Sequence, residues 1–240
     1  MKLSRRRVGA VWRKELREFR HNGSIVYAMA ILPLVFLIQP VVQVFTLPSS
    51  ASVALHREHG LLYMLAIPVL VPAALAAYSV VGERLQGTLE PVLTTPVRSR
   101  ELLLGKALAA FVPSVVVAYT IFGLYVAVVE LFAHPAVASA LIRGSDLLAQ
   151  LIFTPLLATW SIWVGIAISA RASDPRTAQQ LAILASLPTV AVTSLIAFQV
   201  IPPTFHVALL FGVVLAVLVR LGWRFATALF DRERLITSSR

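Results

Sequence analysis

Residues 61–81 read LLYMLAIPVLVPAALAAYSVV, a run with no Asp, Glu, Lys or Arg. At about 1.5 Å per helical residue, such a run crosses the ~30 Å hydrocarbon core of a bilayer. Helix is the expected conformation, since lipid offers unpaired backbone groups no partner. Four more stretches share this character: 25–47, 107–129, 147–170 and 178–201. A sixth, 204–219, is short and is read as continuing past Arg220 through Gly222 and Trp223, with the Arg220 side chain snorkelling to the headgroups. Pro33, Pro40, Pro68, Pro72, Pro113, Pro155 and Pro188 fall inside these runs and are expected to kink the helices without ending them.

The rest of the composition agrees. Of 240 residues, 58% are hydrophobic and only 13% are charged, against about 25% charged in an average soluble domain. Mean hydropathy is +0.84. These values exclude an ordinary soluble enzyme and a disordered chain, and predict an all-α membrane protein with six transmembrane helices. The net charge of +10 would suggest nucleic acid in a soluble protein. In a membrane protein it belongs to cytoplasmic loops, so no nucleic-acid partner is expected. Placing the N-terminus inside puts 19 of the 21 Lys and Arg on the cytoplasmic side and leaves only Arg57 and Arg143 outside. Both termini are therefore read as cytoplasmic, in the cytoplasmic membrane. The absence of cysteine excludes disulfides, thiolate metal sites and a cysteine nucleophile.

Residues 1–24 precede the first run. Ser4-Arg5-Arg6 is similar to the start of a twin-arginine signal, but the apolar run that follows is too long for a signal-peptide core. Val8, Val11, Trp12, Leu16 and Phe19 instead recur at helical spacing opposite a basic face. That pattern predicts an amphipathic helix at the membrane interface, either simply held by anionic lipid or also acting as a lever on a cytoplasmic partner. The organisation read from sequence is this helix at 1–24, a six-helix domain at 25–223 with its longest cytoplasmic connection at 82–106, and a cytoplasmic tail at 224–240.

Catalytic motifs are missing. Gly105-Lys106 is followed by Ala107 and lacks the upstream glycine of a phosphate loop. His56-Arg57-Glu58-His59 matches neither zinc-protease pattern and reads as a solvated polar run, so no metal site is assigned. No serine sits in a Gly-x-Ser-x-Gly elbow. The polar groups that could mark a substrate pathway are Gln39 and Gln43, on one helical face by their spacing, and Glu130, at the outer end of the third span where a carboxylate is less costly than at the centre. Trp160 and Trp163 are read as lipid-facing or packing residues rather than as cavity lining.

The connection after the second span carries the most information. It turns at Gly87, where Thr88 can cap a short coupling helix supported by Glu90. Pro96 ends that helix, and a new one starts near Ser99. Glu83-Arg84, Gly87-Thr88-Leu89-Glu90, Leu93-Thr94-Thr95-Pro96 and Glu101-Leu102-Leu103-Leu104-Gly105-Lys106 closely resemble the cytoplasmic loop of type-2 ABC transporter permeases. Trp12-Arg13-Lys14-Glu15-Leu16-Arg17-Glu18 resembles the N-terminal connecting helix of that family, and Ser173-Asp174-Pro175-Arg176-Thr177-Ala178-Gln179-Gln180 its loop before the fifth helix. The resemblance implies an exporter permease with no ATPase of its own. Two permease protomers, as a homodimer or heterodimer, would join two ATP-binding subunits that carry ATP and Mg. Glu83, Arg84, Gly87, Thr88, Leu89 and Glu90 would couple to those subunits, with charges of both signs on a cytoplasmic face. Trp12, Lys14, Glu15 and Arg17 would lie on the connecting helix. The rival readings are a secondary transporter or channel driven by an ion gradient, which calls for intramembrane charge, a membrane enzyme, and a regulator that does not transport.

Overall fold

The computed structural model describes residues 3–21, 23–46, 60–87 and 97–229. The side chains of Gln39 and Gln43 lie outside the described residues, as do Thr88, Leu89, Glu90 and the expected coupling helix. Helix α1 (Arg5–His21) is followed by α2 (Gly23–Thr46). Then come α3 (Gly60–Tyr63), a 3-10 turn (Met64–Ala66), α4 (Ile67–Tyr78) and α5 (Val81–Leu85). Helices α6 (Ser99–Phe132), α7 (Pro135–Leu141), α8 (Gly144–Ser169), α9 (Pro175–Ala197) and α10 (Phe205–Leu229) complete the chain. No strand occurs among the described residues.

Among the described residues, six helical segments are long and apolar enough to cross a membrane, making this a multi-pass membrane protein. They coincide with the six apolar runs, but the third begins at Ser99 and takes in Lys106. The last continues as helix to Leu229.

The second span, Leu61–Leu85, is the post around which the others stand. Its most apolar window is 94% buried, against 6% for the last span. Its sequence explains this position. Ala73, Ala74, Ala76 and Ala77 give α4 a flank of small side chains, and small residues let helix backbones approach closely in lipid. Helix α8 takes up that space at Gly165, where an added Cβ would lie 2.8 Å from both the Ala73 carbonyl oxygen and the Ala76 Cβ. Helices α2, α6 and α9 also pack on α4, and α10 lies on the far side of α8. There Gly222 leaves room for Trp163, which meets Trp223 edge-on at 5.2 Å between ring centroids. Trp163 is thus a packing residue.

The post is not one continuous helix. The 3-10 turn lies just before Pro68, which sits in the first turn of α4. A second interruption separates Tyr78 from Val81. The amides freed there are not abandoned: Ser169 Oγ, at the end of α8, accepts from Val80 N–H and Val81 N–H at 3.0 Å each. A backbone break inside a bundle persists when neighbouring side chains satisfy it.

The α8–α4 contact predicts a contrast between two glycines. Gly165→Ala forces a methyl against backbone and is expected to cost about 1–3 kcal/mol, lowering the thermal midpoint of the detergent-purified protein. Gly123→Ala, where an added Cβ meets nothing within 4 Å, is expected to be neutral or mildly stabilising. Equal midpoints for the two variants would contradict the close approach at Gly165.

Candidate functional site

Three charged stretches far apart in sequence meet where α1 lies across the start of α6. The approach is tight because α6 carries Gly105 at the crossing. An added Cβ there would stand 2.5 Å from Val11 Cγ1 and 3.2 Å from the Val8 carbonyl oxygen. Helix α1 presents a buried stripe of Val11, Glu15 and Phe19 at four-residue spacing, with Trp12 and Leu16 packed beside it. The apolar face read from sequence is therefore turned toward α6 and α2, and a carboxylate occupies its middle.

That carboxylate is met by Lys106, the residue after Gly105. The Lys106 ammonium has no solvent exposure. It lies 2.6 Å from Glu15 Oε1 and 2.8 Å from Glu83 Oε2, and donates to the Ser79 carbonyl oxygen at 2.7 Å. The interruption of the second span thus exposes an acceptor that the lysine uses. Lys14 donates to Glu83 Oε1 and pairs with Glu18 at 3.0 Å, four residues on. Two ammonium groups therefore face the two buried carboxylates Glu15 and Glu83. Oxygens of Glu15, Glu18 and Glu83 lie within 4.8 Å of one another, and the two lysines among them supply cationic charge, so the cluster is an ion-paired junction.

A second carboxylate fastens the front of α1. Glu101 stands at the third position of α6 and accepts from the Arg98 backbone N–H at 3.1 Å, capping its own helix. It also accepts from the Ser4 backbone N–H at 2.9 Å and pairs with Arg7 at 3.4 Å. One acidic group so serves the N-terminal ends of two helices, where negative charge is favoured. Arg84, next to Glu83, donates through Nη2 to Ala170 O at 2.9 Å and through Nη1 to Ala172 O at 3.1 Å, collecting orphan carbonyls at the end of α8.

The electrostatics follow from this geometry. Burial pushes the Glu15 carboxyl above its ordinary range, the nearby Glu83 charge adds to that, and Lys106 and Lys14 oppose it. For Lys14, burial works to lower the pKa, but the Glu83 carboxylate outweighs it and the net direction is upward from 10.5. A raised lysine contributes its stability fully below the ordinary value and loses it only as pH rises through the raised one. The Lys14 pair therefore holds across the neutral range.

The residues singled out in the sequence divide accordingly. Lys14, Glu15 and Glu83 meet in the junction. Glu83 and Arg84, expected on an open cytoplasmic face, turn inward instead: Glu83 is only 3% exposed. Trp12 is half-buried and Arg17 is exposed on the opposite side of α1. Gly87 has φ +65°, the left-handed conformation that the expected turn needs. Glu130 is exposed in the last turn of α6, far along that helix from Lys106. Sequence reasoning passed over Lys106, Glu101 and Ser169. A signal for the first was present, because Lys106 directly precedes a long charge-free run.

The family described as ABC-2 family transporter protein has a sequence model that matches residues 9–212, a span that contains the whole Glu15–Glu83–Lys106 junction. No curated protein matches the chain.

Removing one partner of a buried ion pair leaves an uncompensated charge, at about 3–5 kcal/mol. Lys106→Met is therefore expected to release α1, seen as faster tryptic cleavage at Arg13 and Arg17 in the folded protein. Adding Glu15→Gln and Glu83→Gln to Lys106→Met removes the stranded charges and should restore much of the protection. Wild-type cleavage rates in Lys106→Met would show that the junction does not hold α1.

Proposed function

The chain belongs to the ABC-2 family of transporter proteins, the membrane permease part of an ABC transporter, and from that premise we propose that it exports its substrate on ATP hydrolysed by a separate subunit. In this reading ATP and Mg sit on two copies of that subunit, and the permease works as a homodimer or heterodimer. The α1 end of the bundle faces the cytoplasm, as the distribution of 19 of 21 basic residues favours. The coupling contact is made by Gly87 and by Thr88, Leu89 and Glu90 in the loop that follows it.

The observation that carries the proposal is the position of the Lys106 junction. The connection that joins α5 to α6 begins just after Glu83 and Arg84 and ends just before Glu101 and Lys106. Both stems of the loop are therefore tied to α1 and to each other by buried charge. Charges in such a site cannot separate without leaving one unpaired, so a push on the loop moves α5, α6 and α1 as one body. Arg84 passes the same displacement to the end of α8. Glu83 and Arg84 then act as positioning residues inside the permease, and contact with the partner falls to the loop itself. ATP-driven closure of the partner subunits would in this way switch the bundle between inward- and outward-facing states.

Two measurements test this. The chain has no cysteine, so single cysteines report cleanly. Ser99→Cys is expected to react only from the cytoplasm and Ser139→Cys from outside, and outside labelling at position 99 in intact cells would invert the topology. In the reconstituted complex, Glu90→Lys is expected to lower permease-stimulated ATP hydrolysis about tenfold while insertion and folding persist. Unchanged stimulation and unchanged subunit association would remove this loop from the coupling path.

A further inference from the structure

Outside the junction, an apolar groove of about 490 Å³ lies between α1, α2 and α6. Its walls are Val26 to Leu34 of α2 and Pro113 to Ile121 of α6, each about 12 Å of helix. Leu16, Phe19 and Arg20 of α1 close one end. The groove opens on the outer surface of the bundle, since Val26, Leu34 and Val116 on its rim are 46%, 49% and 57% exposed. Arg20 has no carboxylate partner among the described residues.

We propose that this groove is a binding site for one anionic phospholipid, with an acyl chain between α2 and α6 and the phosphate on Arg20. Both halves of the site ask for the same ligand. The walls are long, narrow and apolar and run away from α1 in the direction of the spans, which suits a hydrocarbon chain. At its closed end stands an unpaired guanidinium, with donors that match phosphate geometry. The exposed Arg17, three residues before Arg20, adds positive charge at that end of α1. A zwitterionic lipid would fill the walls equally well but gain less from this charge. A protein helix seated there would need its own carboxylate at Arg20. Bound there, the lipid would touch α1, α2 and α6 together, beside the junction. The site does not depend on the transport reading, because it needs only α1, α2 and α6.

The test uses the full-length purified permease, stripped of lipid and titrated with dioleoylphosphatidylglycerol or dioleoylphosphatidylcholine in mixed micelles. Retained lipid is counted by native mass spectrometry. One phosphatidylglycerol is expected per chain, held about fivefold more tightly than phosphatidylcholine, the preference that one arginine near a headgroup supplies. Arg20→Gln should abolish the headgroup preference while leaving residual retention of both lipids. Ala30→Phe, which fills the groove, should cut retention of both. Arg13→Gln, two turns and about 10 Å along α1 from Arg20 and outside the groove, should change neither. If Arg20 only complements the dipole at the end of α1, wild-type protein will retain the two lipids equally, and the proposal falls on a measurement that needs no variant. It also falls if Arg20→Gln keeps the preference, if Ala30→Phe keeps full retention, or if Arg13→Gln acts like Arg20→Gln.

Discussion

A single ammonium group, Lys106 Nζ, is fully buried with two carboxylates within 2.8 Å. Much of the architecture at this end of the bundle serves to make that arrangement tolerable. A lysine there would be costly without Glu15 and Glu83. Glu15 reaches it only because Gly105 lets α1 lie directly against α6. Glu83 reaches it only because the second span is interrupted and resumes as α5. The same interruption leaves the Ser79 carbonyl free to accept from the lysine and leaves two amides for Ser169. Charge pairing, helix crossing and helix break form one construction.

The choice of basic residue fits that construction. The chain has three lysines, Lys2, Lys14 and Lys106, and every other basic side chain except histidine is arginine. Two of the three lysines stand in the junction. An ammonium is a compact charge that fits between two carboxylates and a carbonyl, whereas a planar guanidinium would spread them apart. Arginine is used where its fork is useful: Arg84 across two carbonyls, Arg7 beside Glu101, and the surface of α1. Lys106→Arg would on this view be a poor substitute despite the retained charge.

The six spans were legible because a membrane helix writes itself locally, as about 20 consecutive apolar residues. The helical repeat of α1 was legible for the same reason. What it packs on was not. The stripe of Val11 and Phe19 looks alike whether it meets lipid or another helix, and the glutamate within it has no local explanation. Glu83, Arg84 and Lys106 read as solvated loop charges because, in a linear sequence, a charge beside a span belongs to the interface. The burial of Glu83 and Lys106 rests on pairings that reach across as many as 91 residues, which no periodicity announces. Yet the three stretches that meet in the junction are the ones quoted for the family resemblance. The motif was recognisable before its physical content was.

The 91-residue separation between Glu15 and Lys106 also sets an order of events as the chain is made. Helix α1 emerges first, but its anchor is synthesised only after the first two spans. At about 5–20 residues per second, α1 waits on the order of 5–20 s with Glu15 unpaired and still hydrated. Glu83 precedes Lys106 by far less, so the second and third spans can pair their charges soon after the third enters the membrane. Helix α1 is therefore made before the spans it packs on and docks only once the third has been made, so its docking marks the point at which the first half of the bundle has been assembled.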